Sequence, residues 1–157
     1  MINLNEMELV HYGSATLDKS RIDGISNNRQ RNKPSKGGLW TSPKESEFNW
    51  NDFIENEDCS DLWLSDMSSY IELNHTGLTY LINGDRDIKE LVDNGFIIKT
   101  GTGFIYDYEA LALKVDSIWL SYQGLRTVGI FSFDKPNFYG WDCETVLILN
   151  SKSISIS

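Results

Sequence analysis

Residues 139–150 read Tyr139-Gly140-Trp141-Asp142-Cys143-Glu144-Thr145-Val146-Leu147-Ile148-Leu149-Asn150. The run from Val146 to Leu149 is apolar and short, which predicts a single strand that is buried on both faces. A carboxylate, Glu144, stands directly before this run. An acid at the mouth of a buried strand is desolvated and oriented by the sheet, and such perturbed acids cluster at functional sites. The stretch therefore predicts both the centre of a sheet and a candidate site.

The chain has 157 residues, of which 40% are hydrophobic. A domain of this size buries roughly two-thirds of its unfolded surface, so it needs no disulfides or metal to fold. The sequence shows no internal repeat and no linker, and we predict a single domain over residues 1–157. Five Trp, seven Tyr and seven Phe are enough to supply both a core and a pocket for a flat ligand.

The formal net charge is −9, with 23 acidic and 14 basic residues. Nucleic acids and membrane surfaces attract clustered Lys and Arg, so this balance disfavours general binding to either. Half of the basic residues nevertheless lie in one segment, at Lys19, Arg21, Arg29, Arg31, Lys33, Lys36 and Lys44. We interpret this basic segment either as a solvated loop or as a flexible arm that meets a phosphate-bearing ligand.

Cysteines and histidines are few and isolated: Cys59, Cys143, His11 and His75. Their spacing does not match a zinc site, and we predict no metal. The first residues are polar and acidic, unlike a signal peptide, and no apolar run approaches the roughly 20 residues that cross a membrane. We expect a cytoplasmic protein with reduced cysteines and no membrane partner.

Hydrophobic periodicity and turn residues predict many short strands and few helices. We predict strands at 7–12, 38–42, 69–73, 78–82, 96–99, 104–106, 115–121, 128–133 and 146–149, with a weak edge strand in the tail. A hairpin turn is predicted at Asn74–Gly77, a return at Leu62-Trp63-Leu64, and a turn over 122–126. Helices are predicted after Ser46 as the N-cap, over 86–93, and over 108–113.

The elements do not alternate as strand, helix, strand, which argues against a doubly wound parallel sheet. We predict an α+β fold with a mixed, mainly antiparallel sheet and two to three short helices. Residues 15–37 form a long polar loop, and loops of this length are usually functional or disordered.

Four polar or aromatic clusters fall at predicted strand ends or on a helix. They are His11-Tyr12-Gly13-Ser14, Gly38-Leu39-Trp40-Thr41-Ser42, the helix with Trp50 and Phe53, and Glu144. No Gly-x-Ser-x-Gly motif surrounds Ser14 or Ser42, and the chain has neither a Walker loop nor a dinucleotide-binding fingerprint. Taken singly, each cluster is more typical of an ordinary core or surface position than of a functional site.

In their order along the chain, the four clusters resemble the ADP-ribosyltransferase superfamily, in its His-Tyr-Glu branch of diphtheria-type toxins and poly-ADP-ribose polymerases. The similarity extends over residues 8 to 150 and implies a split β-sheet. The chain also resembles small bacteriophage proteins, which implies the cytoplasm of a host cell. The resemblance implies that NAD is a substrate and that ADP-ribose passes to a macromolecular acceptor, with protein favoured over nucleic acid.

The same resemblance implies roles for individual residues. Glu144 would be catalytic, because a carboxylate beside the ribose stabilises the oxocarbenium-like state formed as nicotinamide leaves. His11 would bind a ribose hydroxyl and Gly13 the nicotinamide amide, while Ser14 or Ser42 would orient that amide or brace the glutamate. Aromatic faces would come from Trp40 and from Phe53 or Trp50. The diphosphate would meet Arg31, Lys33 or Lys36.

Two positions depart from the family pattern. Tyr12 intervenes between His11 and Gly13, so either His11 or Tyr12 fills the histidine position. Asp142 stands two residues before Glu144, where related enzymes carry the residue that selects the acceptor. A second hypothesis therefore remains beside the enzyme: a non-catalytic, acidic binding or inhibitor module that uses an aromatic cleft on the same scaffold.

Overall fold

A computed structural model describes residues 1–56 and 69–157 and shows an α+β fold, as the sequence predicts. Within these ranges the strands are β1 (Ile2–Tyr12), β2 (Leu39–Pro43), β3 (Tyr70–Ile82), β4 (Ile97–Thr100), β5 (Gly103–Tyr106), β6 (Ser117–Leu120), β7 (Thr145–Ile148) and β8 (Ile154–Ile156). The α-helices are α1 (Trp50–Asn56), α2 (Asp85–Asp93), α3 (Tyr108–Ala112) and α4 (Tyr122–Val128). Short 3-10 helices cover Lys19–Arg21 and Ser151–Ser153.

Five strands form a closed ring in the order β1-β2-β7-β6-β3, because β1 pairs with both β2 and β3. The β3–β6 pair is parallel, and the other pairs of the ring are antiparallel. Strand β8 pairs with Leu73 to His75 of β3, on the edge that β6 occupies further along the strand. Strands β4 and β5 form a separate hairpin.

Strand β7 is the buried strand that the sequence predicts, displaced by one residue from 146–149. Its backbone bonds to β2 on one edge and to β6 on the other. Val146, Leu147 and Ile148 have no exposed surface. A strand buried on both faces and paired on both edges has to be apolar throughout, which explains the run.

The strands separate two hydrophobic clusters, because successive side chains of a strand point to opposite faces. Val146 and Ile148 pack with Leu9, Leu39 and Leu73 in a cluster built mainly by strands. We call this side of the ring the inner face. Leu147 joins the other cluster, to which the helices contribute residues such as Leu91, Tyr108 and Leu111. We call this side the outer face.

The predicted hairpin at Asn74–Gly77 is wrong, because β3 runs unbroken through these residues. Strand β1 pairs with β3 at every position from Ile2 to Tyr12, so the turn residues are held in the extended conformation by a partner strand. His75 within this segment has no exposed surface. Tertiary pairing overrides the turn preference of Asn and Gly here.

The predicted turn at 122–126 and strand at 128–133 are also wrong. Residues Tyr122–Val128 form helix α4, and Ser121 caps it by accepting a hydrogen bond from the Gly124 amide at 3.0 Å. The helix packs so close to β3 that a Cβ on Gly124 would lie 2.1 Å from the Ile82 carbonyl oxygen. In the sequence, this helix is indicated by its N-cap, Ser121, and by a small residue at a close packing contact, Gly124. The prediction treats that glycine as a turn residue instead.

Helix α1 begins at Trp50, and Ser46 is not its N-cap. Asn49 and Asp52 form a reciprocal pair instead: each side chain accepts a hydrogen bond from the other's backbone amide, at 2.9 and 3.0 Å. This is the geometry of a capping box. Ser46 is thereby available for a different contact, described below. The return predicted at Leu62-Trp63-Leu64 lies outside the described residues.

Among the helices of the described ranges, none has the length and apolar character needed to cross a bilayer.

His75 on the inner face gives the fold a testable pH dependence. Within the described part of the chain neither ring nitrogen has a hydrogen-bond partner, and burial lowers the pKa of His75 from its ordinary 6.5, although the nearby Asp116 carboxylate opposes this shift. Below pH 6.5 the unfolded chain gains a proton that the folded chain does not. The free energy of unfolding therefore falls as the pH drops from 6.5 towards the folded-state pKa.

Urea denaturation at about pH 7.5 and about pH 5.5 checks this expectation, since histidine titrates between these values. The unaltered protein loses stability at the lower pH, and His75→Met loses less. Asp18 and Asp23 do not confuse the result, because hydrogen bonds lower their pKa values below 3.8. An equal loss in both proteins would contradict the assignment.

Candidate functional site

The three strands that carry the sequence motifs are neighbours in the ring. His11 is the penultimate residue of β1, Trp40 lies in β2, and Glu144 directly precedes β7. Strand β2 lies between the other two and pairs with both. Segments that are more than 130 residues apart in the chain therefore meet at one place in the fold.

Glu144 is only 6% exposed and has a protein donor on each carboxylate oxygen. The Ser46 hydroxyl donates to Oε2 at 2.6 Å, and the Trp119 indole Nε1 donates to Oε1 at 3.1 Å. Its backbone is fixed too, since its amide donates to the Phe48 carbonyl at 2.9 Å and its carbonyl accepts from the Ser42 hydroxyl at 3.0 Å. A buried carboxylate held at both oxygens has one orientation.

A cavity of about 400 Å³ adjoins these strands. Three indoles line it, from Trp40, Trp50 and Trp141, and Lys33 lies at its wall. Trp40 and Trp141 meet edge to face with ring centroids 4.9 Å apart. The Lys33 ammonium lies 5.6 Å from the centre of the Trp40 ring, within the range of a cation–π contact. The cavity is thus aromatic with one cation beside it.

Further groups of this cavity come from the motifs on β1 and β2 and from the stretch before β7. The additional lining residues are Val10, His11, Tyr12, Pro34, Thr41, Ser42, Gly140, Asp142, Cys143 and Thr145. Burial raises the pKa of the Tyr12 hydroxyl, and the Asp52 carboxylate adds to this shift. Burial likewise raises the pKa of the Cys143 thiol, so both groups stay protonated at neutral pH.

Glu144 is not among the residues that line this cavity. Cys143 and Thr145, which lie on either side of it in the chain, do line the cavity, and alternation along the strand turns the Glu144 side chain to the inner face. Its contact with Trp119 agrees, because Trp119 pairs with Val146 and packs against the inner-face cluster. The carboxylate and the aromatic cavity are therefore on opposite sides of β7.

His11 connects the two sides. It lines the cavity, yet it is two residues from Leu9, whose side chain belongs to the inner face. Its Nδ1 lies 2.8 Å from the Trp40 carbonyl oxygen. Because a carbonyl only accepts, Nδ1 donates this bond, and Nε2 is the ring nitrogen that remains for a ligand. Tyr12 lines the cavity as well, so both candidates for the histidine position, His11 and Tyr12, reach it. Trp40 also lines the cavity.

The other predicted binding residues are divided. Ser42 lines the cavity, but Gly13 does not: it has a φ of 96°, and its amide donates to the Ser69 carbonyl at 2.9 Å. The Ser14 hydroxyl is engaged in a local turn with Thr16. Phe53 does not line the cavity, but it stacks on Trp50, which does, with the ring centroids 5.3 Å apart.

Two residues that hold Glu144 were missed from the sequence. Ser46 was interpreted as a helix cap, and Trp119 as an ordinary strand residue. Trp119 is 25 residues from Glu144 in the chain, and no spacing rule links them. Only the β6–β7 pairing, which sets Trp119 opposite Val146, brings them together. Among the described residues, no group of three or more His, Cys, Asp or Glu is arranged to hold a metal ion.

A scan against protein-family models finds no match to this chain, and searches of curated proteins and of solved structures find none either.

The two donors to Glu144 predict a measurable cost of removal. Ser46→Ala and Trp119→Phe each leave one carboxylate oxygen buried without its donor, which is expected to lower the free energy of unfolding by about 1–3 kcal/mol. Urea denaturation near neutral pH measures this loss. Ser155→Ala, which removes a hydroxyl from an exposed residue of β8, is the matched control. If Trp119→Phe is as stable as the control, the indole does not support the carboxylate.

Proposed function

We propose that this protein is an NAD-dependent ADP-ribosyltransferase that transfers ADP-ribose to a macromolecular acceptor in the cytoplasm, in a host cell if the gene is carried by a phage. One observation carries the proposal: the ring sets β1, β2 and β7 side by side, with His11, Trp40 and Glu144 in adjoining segments. These three short motifs are distant in the chain, and the sheet brings them together. Their convergence supports a shared site.

The strand arrangement is compatible with the split sheet that this function implies. Strand β1 pairs with β3 along its whole length, but with β2 only at Leu9 and Val10. Beyond Val10, β1 and β2 are not paired with each other, and His11 and Tyr12 lie at the point where these two strands separate. An opening at such a separation is a place where a ligand contacts residues from both sheet faces.

The cavity residues fit the groups of NAD. Nicotinamide is flat and suits the indoles of Trp40, Trp50 and Trp141. The His11 Nε2 can contact a ribose hydroxyl, and the Lys33 ammonium supplies a cation for the diphosphate. A cavity of about 400 Å³ is within the usual range for small-molecule sites.

In the proposed reaction the bond between nicotinamide nitrogen and the ribose carbon breaks, and nicotinamide leaves with the bonding electrons. A nucleophilic atom of the acceptor then bonds to that carbon and loses its proton to the solvent. Positive charge develops on the ribose between these events, and a fixed carboxylate stabilises it. Glu144 supplies this carboxylate in the proposal. Ser46 and Trp119 orient it on the inner face, so the ribose has to reach it through the opening where β1 and β2 separate.

Release of nicotinamide from NAD tests the proposal. The unaltered protein is expected to release nicotinamide and to label an acceptor, whereas Glu144→Gln, which keeps the shape but loses the charge, is expected to lower the rate at least about 100-fold. Glu45→Gln is the matched control, because Glu45 is exposed in the same segment as Ser46. Far-ultraviolet circular dichroism establishes that each variant is folded. Equal rates in Glu144→Gln and Glu45→Gln would refute the catalytic role.

A second candidate function, a binding module without catalysis, is favoured by a specific observation. The Glu144 carboxylate is engaged by two protein donors and lies away from the aromatic cavity. Such a module binds NAD or another flat anion and leaves it intact. Calorimetry distinguishes the two candidates. The module is supported if NAD binds, if Lys33→Gln weakens this binding, and if no nicotinamide is released. If NAD does not bind at all, both candidates that use it fail.

A further inference from the structure

A second groove, of about 530 Å³, adjoins the aromatic cavity and shares Lys33 and Gly140 with it. We call it the Phe131 groove. Its aromatic lining comes from Phe104, Tyr106, Phe131, Phe133 and Tyr139. Among the described residues, its charged lining comes from Arg31 and Lys33, and no acidic residue lines it. This local balance is the reverse of that of the chain, which carries 23 acidic and 14 basic residues.

The aromatic rings of this groove are exposed to an unusual degree. Phe133 is 86% exposed, Tyr139 59% and Phe131 51%. Phe131 contacts both other rings edge to face, at centroid distances of 4.5 and 5.4 Å. Exposed aromatic rings that touch one another form a patch, and exposed apolar patches mark interaction sites.

Hydrogen bonds of Asn32 connect the segment with the basic residues to the segment with the aromatic rings. Asn32 lies between Arg31 and Lys33 in the chain, and its side-chain amide donates to the carbonyls of Asn137 and Tyr139 at 3.0 and 2.9 Å. Its own carbonyl accepts from the Trp141 indole at 3.1 Å. The segment with the two cations is thus fixed to the segment with the aromatic rings, and the groove exists before a ligand binds.

We propose that the Phe131 groove binds a short single-stranded nucleic acid. Bases stack on exposed aromatic rings whatever their sequence, and phosphates between them need cations at hand, which is the combination this groove offers. A neutral apolar peptide would use the rings but not the two cations. The net charge of −9 disfavours a long duplex, but a strand of a few nucleotides contacts only the groove, whose described lining contains no acid.

The residues that line both surfaces determine where a bound nucleic-acid strand would lie relative to the aromatic cavity. Lys33 and Gly140 stand between the two, so a nucleotide bound at that end of the Phe131 groove adjoins the aromatic cavity. The strand would then be the acceptor in the reaction proposed above, and this part alone rests on that proposed function. This nucleic-acid acceptor differs from the protein acceptor that the net charge of the chain favours. The net charge does not decide the acceptor, because binding responds to the charges within a Debye length of the contact.

Binding is measured by fluorescence anisotropy with labelled oligothymidylate and oligouridylate of about eight nucleotides, without NAD. We expect binding whose affinity falls about sevenfold between about 50 and 200 mM salt, because two phosphate contacts give a slope near −1.4. Phe133→Ala and Tyr139→Ala are expected to weaken binding about 5- to 150-fold, since each removes a stacking ring. Arg31→Gln is expected to flatten the slope by about 0.7.

Matched controls lie elsewhere on the surface. Leu113 is 85% exposed and the Arg21 side chain 87% exposed, and neither lines the groove. Leu113→Ala and Arg21→Gln should leave binding unchanged. A preference for one oligonucleotide identifies RNA or DNA as the source of the strand, and either supports the proposal.

Three outcomes would overturn it: no binding at low salt, binding that Phe133→Ala and Arg31→Gln leave unchanged, or an acidic tyrosine-containing peptide that binds as tightly as the oligonucleotides. These outcomes are independent of catalysis, because the same measurement is made with Glu144→Gln. If the unaltered protein releases no nicotinamide but binds the oligonucleotides, the proposed function is rejected and the groove is kept. If the unaltered protein releases nicotinamide but binds no oligonucleotide, the groove is rejected and the proposed function is kept.

Discussion

Strand β7 imposes the main constraint on this structure. Its four residues, Thr145–Ile148, are buried, and Val146 to Ile148 are paired along both edges. A buried backbone amide or carbonyl without a partner costs free energy comparable to a lost hydrogen bond, so β7 requires a strand on each side. The partners are β2 and β6, and the ring closes because β1 bridges from β2 to β3. The position of every candidate residue follows from this closure.

The second constraint is the acid at the start of β7. Burying a carboxylate without donors is costly, and Glu144 is compensated by two donors that come from different parts of the fold. Ser46 arrives from the segment after β2, and Trp119 arrives from β6. Neither donor is a cation, so the pair fixes the direction of the carboxylate without neutralising it. That arrangement suits a carboxylate that stabilises positive charge developing on a bound ligand. It is also compatible with a purely structural role. Glu144→Gln separates the two roles because it removes the charge and keeps the shape of the side chain.

How much of this could be read from the sequence depends on the range of the interaction. The strand at Val146 and the α+β class followed from local apolar patterning, and the structure confirms both. The hairpin at Asn74–Gly77 was wrong because eleven residues of β1 pair with β3 across it, a contact no local rule contains. The Ser46 assignment was wrong because Asn49 and Asp52 cap the helix. Of the predicted site residues, His11, Tyr12, Trp40 and Ser42 meet at one cavity. The face of the sheet to which the Glu144 side chain points depends on the strand register, and a shift of one residue would turn it to the opposite face.

The position of the basic segment shows why total charge is a poor guide to partners here. The sequence left open whether these cations form a solvated loop or an arm for a phosphate ligand. In the structure Asn32 ties the segment to the loop at Asn137 and Tyr139, so Lys33 reaches the Trp40 ring while Arg31 reaches the neighbouring groove. Among the described residues, Lys33 and Asp142 line the aromatic cavity and Arg31 and Lys33 line the groove, so neither lining has a net negative charge, while acidic residues dominate the chain as a whole. Long-range repulsion of polyanions and local attraction of a short anionic ligand are compatible, because salt screens the first over about 10 Å and leaves contacts at a few ångströms largely intact. If the Phe131 groove binds nucleic acid as proposed, its shape and its charge together favour short, flexible strands over duplexes.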